Sequence, residues 1–188
     1  MTLIIDKKQE HFISYYQVVN VLFKEKDEKR VHLTHIMVYD HLVCGTNGSA
    51  LVYFTIPSAI QAPKTGLYKP LSINKSQIIL KKNPEVSTHD YPDAFAIIDR
   101  TEHKYTDSIC FDNVKLNSHY FVSELLYVLG SKYQTRINPE YVYRYLSIYP
   151  AKCTFILSLF MHKENPAENA VFISGQNSTL LLMPLEIK

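Results

Sequence analysis

Apolar residues recur along this chain at two periods, and each switch between them marks an element. Residues 2–6 (Thr-Leu-Ile-Ile-Asp) read as a short strand. Over 9–24, Phe12, Tyr16, Val19 and Phe23 recur every three or four positions, with Ile13 and Leu22 beside them. Gln9, Gln17, Asn20 and Lys24 fall towards the other face, so the spacing predicts a helix. The run Lys24 to Arg30 mixes both charge signs and reads as a solvated connection. From Val31 the period becomes two. Val31, Leu33, Ile36 and Val38 predict a strand, Asp40-His41 a turn, and Leu42 to Cys44 a second strand. Asn47-Gly48 is a strong hairpin signal, and Ala50 to Ile56 follows as another strand. Pro57, Pro63 and Gly66 then interrupt the chain before short strands at Leu71–Ile73 and Gln77–Leu80.

Residues 81–107 carry the weakest pattern, and strand signals return at Ala94–Ile98 and Ser108–Leu116. Asn117 or Ser118 can cap a helix over Tyr120–Leu129, with Gly130 as its stop. Asn138-Pro139-Glu140 joins an N-cap residue, a proline at the first helical position and an acid near the positive dipole end. Val142, Tyr145, Leu146 and Tyr149 share one face of that helix, Arg144 points away, and Pro150 ends it. Strands at Cys153–His162, Ala170–Ser174 and Thr179–Ile187 complete the chain. A β-α-β-β-β order therefore occurs at both ends. The fold class is α+β, with helices on one face of antiparallel sheets. The 188 residues form one enlarged domain (motif one 1–82, an irregular middle 83–135, motif two 136–188) or two reduced domains dividing near residue 90.

Composition narrows the function by exclusion. At 46% hydrophobic residues the chain can bury a core, and a formal charge of +2 names no partner. Five glycines supply no Gly-x-Gly-x-x-Gly and no P-loop. The longest apolar run, Cys153 to Met161, is broken by Thr154 and Ser158 and falls far short of the roughly 20 residues that span a bilayer. The first residues do not read as a signal peptide, so a cytoplasmic location without membrane attachment is expected. Cys44, Cys110 and Cys153 are odd in number and far apart, which suits reduced core thiols better than a zinc or redox motif.

Candidate chemistry is thin. His32 and His35 lie in a period-two segment and would point to opposite faces, so no metal site is expected. His41 beside Cys44 lacks a third orienting group, and Asp90, Asp93 and Asp99 lack the regular spacing of a calcium loop. No catalytic motif and no cofactor motif is present, and the chain is not read as an enzyme. The 14 tyrosines raise a nucleic-acid reading, since rings stack on bases. Tyr145 and Tyr149 belong to an apolar face, however, and only Tyr143 and Arg144 are expected on display. Backbone contact by basic residues is then favoured over base stacking.

Four motifs in order carry a family resemblance. Residues 136–146 (Arg-Ile-Asn-Pro-Glu-Tyr-Val-Tyr-Arg-Tyr-Leu), and the closing Met183-Pro184-Leu185, resemble the end of the bacterial sliding clamp, the β subunit of DNA polymerase III. Upstream, His41 to Leu51 is similar to the clamp's "T-D-G" hairpin, with Thr46, Gly48 and Leu51 in register, and Tyr91-Pro92-Asp93 is similar to its "f-P-d-y". Asn47, Ser49 and Ala50 depart from the family's acidic, His and Arg positions, and a standard clamp subunit has three domains and about twice this length.

The resemblance implies a DNA-clamp-like fold in a short, divergent, phage-type member. It implies a non-enzymatic accessory protein of DNA replication or processing that contacts double-stranded DNA without reading sequence and assembles as a homo-oligomer. Lys24, Arg136, Arg144 and Lys152 would then meet phosphates. A pocket for peptides of polymerases or other clamp-binding proteins carries over to Thr46, Gly48, Leu51, Met183, Pro184 and Leu185. The competing expectation is a clamp-fold module that binds a host or viral protein and not DNA.

Overall fold

The computed structural model describes residues 1–22, 30–94, 96–98, 107–115, 118–148, 152–160, 170–175 and 178–183. The chain folds as two compact units, Met1–Ala94 and Phe95–Lys188.

In the first unit, β1 (Thr2–Asp6) is followed by helix α1 (Phe12–Leu22) and then by β2 (Ile36–Tyr39), β3 (Leu42–Thr46), β4 (Ala50–Thr55), β5 (Gly66–Ile73) and β6 (Gln77–Lys82). The strands run in the order β1-β6-β5-β2-β3-β4, with antiparallel neighbours throughout. Helix α1 packs on β3, β4 and β5. Val18, Val19 and Val21 are fully buried, as are Val38, Val43, Val52, Tyr68, Ile78 and Leu80 of the sheet. Tyr15 meets Phe54 edge-on at 5.0 Å between ring centroids.

Several expectations are corrected here. The buried side of α1 is centred on Tyr15 and Val18, and it includes Gln17, which had been placed outward. Tyr16 is only half-buried. Val31–Thr34 is a 3-10 turn and not the start of a strand. Its reason is local: Thr34 Oγ1 donates to the Val31 carbonyl at 2.7 Å, and His35 Nδ1 lies 2.9 Å from the same oxygen. Such side-chain bonds compete with ladder pairing. Gly66 opens β5 and does not break the chain there. At φ 153 it leaves room for the Lys82 side chain, whose Cε would lie 2.5 Å from an added Cβ. Strand β5 also runs through Pro70, where a register shift between Pro70 and Ser72 accommodates the missing N–H. Residues 94 and 96–98 are helical where a strand was expected.

In the second unit, β7 (Asp107–Lys115) is followed by α2 (Ser118–Tyr133), α3 (Pro139–Leu146), β8 (Lys152–Phe160), β9 (Ala170–Ser174) and β10 (Thr179–Leu182). Its strands pair antiparallel in the order β10-β9-β8-β7. Asn138 caps α3 as expected, its Oδ1 accepting from Glu140 N at 3.0 Å, with Pro139 in the first turn. Gly130 is not the stop of α2. It is exposed inside the helix, which runs on to Tyr133 and ends at Gln134, a residue with φ 50. Buried Leu125 and Leu129 anchor the turn that leads into that position, and this packing outweighs the roughly 1 kcal/mol a helical glycine costs. The expected ends of three elements, at Tyr149, His162 and Ile187, lie outside the described residues.

Candidate functional site

The β3–β4 hairpin is built by its own side chains. Thr46 Oγ1 donates to the Ala50 carbonyl at 2.8 Å and accepts from Gly48 N at 3.1 Å. Asn47 Oδ1 accepts from Ser49 N and Ala50 N at 3.0 and 2.9 Å, so the departure from an acidic residue keeps the turn chemistry intact. Gly48 takes φ 91, a conformation that favours glycine. Thr46 and Leu51 face each other across the ladder.

A residue outside the hairpin locks it. Strand β2 begins only at Ile36, opposite Gly45, so the next N–H facing that side of β3, at Thr46, has no partner in β2. The Tyr91 hydroxyl accepts from it at 3.0 Å. The same hydroxyl hydrogen-bonds the Cys44 thiol. Burial pushes the Cys44 thiol up to about 12, against the smaller opposing effect of the Tyr91 bond. Burial likewise holds the Tyr91 phenol well above its usual range, so it stays a neutral donor and acceptor. His41 takes no part with this thiol: its Nδ1 lies 3.0 Å from the Ile56 carbonyl. Sequence reasoning found Tyr91 only as part of a motif. Its role depends on a contact 45 positions away.

The remaining candidates divide by exposure. Thr46 and Leu51 are buried, while Gly48 lies at the surface and Met183 is 36% exposed, just past β10. Pro184 and Leu185 lie outside the described residues, as does Lys24. Arg136 is exposed ahead of α3. Arg144 was expected on display, but Glu140 Oε1 holds its Nε at 2.9 Å and its side chain is only 18% exposed. Lys152 opens β8 opposite Lys115. Tyr145 is fully buried, as expected of a core residue, and Tyr143 is half-buried.

His32 and His35 belong to the 3-10 turn and its end, not to two faces of a strand. His35 bonds Val31 and lies 3.2 Å from Asn83 Nδ2 through its Nε2. Among the described residues no group of three or more His, Cys, Asp or Glu could hold a metal ion, and no helix is long and apolar enough to cross a membrane.

Solved structures match this arrangement over nearly the whole chain. The β clamp of Helicobacter pylori bound to a DNA ligase peptide superimposes with a TM-score of 0.58 at 13% identity, over 98% of this chain. The β subunit of Streptococcus pyogenes DNA polymerase gives 0.56 at 12%, and that of Thermotoga maritima DNA polymerase III gives 0.55 at 10%, both over 100% of this chain. The chain has the fold of a bacterial sliding clamp. In each case it spans 66% of the matched clamp's length. At these identities the likeness is one of fold. No family model matches the sequence, and no curated protein matches it either. The clamp fold is α+β, in agreement with the class expected from the periodicity.

Proposed function

We propose that this clamp-fold chain is a non-enzymatic accessory protein of DNA replication or processing. It acts by sequence-independent contact with double-stranded DNA and by tethering partner proteins. The observation that carries this reading is the extent of the match, 98–100% of the chain against replicative clamps. On this reading the chain assembles as a homo-oligomer. Lys24, Arg136 and Lys152 are then candidate phosphate contacts, of which Arg136 is exposed ahead of α3. Arg144 contributes only if its Glu140 pair opens. Thr46, Gly48 and Leu51 of the first unit and Met183, Pro184 and Leu185 of the second are, each by itself, candidate contacts for partner peptides, with Gly48 and Met183 exposed.

The test is a titration of two duplexes of unrelated sequence at rising salt, with oligomeric state read by light scattering. Equal affinities that fall steeply with salt support the reading. A strict monomer that ignores both duplexes at low salt overturns its DNA part.

A second reading, a clamp-fold module that binds a protein and not DNA, is favoured by the charge on the helices. Helix α1 carries no Asp, Glu, Lys or Arg. Helix α2 carries Glu124 and Lys132, and α3 carries Glu140 and Arg144. Phosphate contact needs an excess of positive charge on one face. These helices have none. Specific partner capture without any DNA requirement would decide for this reading.

A further inference from the structure

The positive charge that the helices lack is gathered at one end of the first unit's sheet. Lys69 of β5 stands directly opposite Lys81 of β6, and Thr2 of β1 flanks Lys81 on its other side. Both lysines are exposed, and among the described residues neither has an ion-pair partner. Like charges facing each other across a strand pair are destabilising unless something neutralises them.

They border an open pocket of about 490 Å³ lined by Met1, Lys69, Lys81, Lys82, Asn83, Pro84 and Glu85. Its floor is fixed. Lys82 Nζ donates to the Thr65 carbonyl at 2.6 Å. Asn83 N donates to Leu67 O at 2.9 Å, and its Oδ1 accepts from Glu85 N at 3.1 Å. The Asn83 amide also meets His35 Nε2. Beside this floor stand two exposed ammonium groups on flexible stems, and an anion between them would relieve their mutual repulsion.

We propose that this pocket is a phosphate site that takes a phosphomonoester of nucleotide size. The phosphate sits between Lys69 and Lys81, where two point charges and six N–H donors meet its oxygens. The cavity is larger than a lone phosphate needs and falls within the range of about 300–1,000 Å³ for small-molecule sites. Met1 and Pro84 offer apolar surface for the rest of the ligand, and the Glu85 carboxylate repels a second phosphate. The inference stands apart from the clamp reading, because it uses no DNA-facing helix and no partner peptide.

Isothermal titration of the full chain at low salt with adenosine monophosphate, inorganic phosphate and adenosine tests it. Binding of the monophosphate and no binding of adenosine is the expected result. Lys69→Gln and Lys81→Gln should each weaken monophosphate binding by about tenfold or more, the loss of one charge-assisted bond. Lys81→Arg should restore most of it, and thermal melting checks that each variant is folded. Lys75→Gln, an equal charge change in the exposed β5–β6 turn, should leave binding unchanged. No binding by wild type at millimolar monophosphate overturns the site. So does an equal loss in Lys75→Gln, or undiminished binding in both pocket variants. Inorganic phosphate binding as tightly as the monophosphate overturns the nucleotide part.

Discussion

Each unit pins one hairpin with a buried tyrosine hydroxyl, and the two do it differently. In the first unit, Tyr91 reaches from the segment after the sheet to β3, accepting from Thr46 N and bonding the Cys44 thiol. In the second, Tyr145 of α3 donates to the Ser178 carbonyl at 2.5 Å and accepts from Ser178 Oγ at 3.1 Å, just before β10. Among the described residues the Thr46 N–H has the Tyr91 hydroxyl as its one acceptor. The Ser178 carbonyl also accepts from Gly175 N at 3.0 Å, so it is served twice. An orphaned buried group costs more than a redundant bond. The first hairpin is therefore the more dependent on its tyrosine.

The sharpest way to break this comparison is Tyr91→Phe. It should cost about 2 kcal/mol, because a buried N–H loses its acceptor without gaining water. The same variant should make Cys44 react faster with a thiol reagent, read by mass spectrometry at that residue, because a hairpin that opens more often exposes the buried thiol, an effect that must exceed the further rise of the thiol once the Tyr91 bond is gone. A Tyr91→Phe protein as stable as wild type would remove the basis of the contrast.

Thr46→Val comes next, at about 1.5 kcal/mol in chemical denaturation, since it deletes one bond to Ala50 O and one from Gly48 N. Tyr145→Phe should cost about 1 kcal/mol and leave Cys44 labelling unchanged. If it costs more than Tyr91→Phe, the redundancy at Ser178 is not what separates the hairpins.

The smallest expected effect concerns pH. His35 is held below its usual range, first by burial and then by Lys69 and His32, against the opposing bond to the Val31 carbonyl. Its neutral form also faces Asn83 from β6's end and Thr34 Oγ1 at 3.1 Å. A depressed histidine favours the fold only while neutral, so its contribution is full above about pH 6.5 and is lost as pH falls towards the folded value. Melting temperature should drop over that interval, and His35→Gln should flatten the drop. A steeper fall in the variant would reverse the sign.

Much of this was legible in the residues. Asn138-Pro139-Glu140 announced α3, Asn47-Gly48 announced the hairpin, and the clamp resemblance named the fold that the superposition shows. The turn at Val31–Thr34 was missed because alternating apolar residues satisfy a strand pattern whatever the side chains of Thr34 and His35 bond to. The outward placement of Arg144 followed from helical spacing, which says nothing of a Glu140 one turn away closing over it.

By itself, then, the chain determined what depends on near neighbours: helix and strand periods, caps, and turns whose side chains bond within a few positions. Only the tertiary structure decided that Tyr91 serves Thr46, that Lys69 faces Lys81, and that Gly130 lies within a helix while Gly66 begins a strand. Those outcomes turn on strand register and on what packs against a turn. Both are set by residues tens of positions apart, where no local period carries a signal.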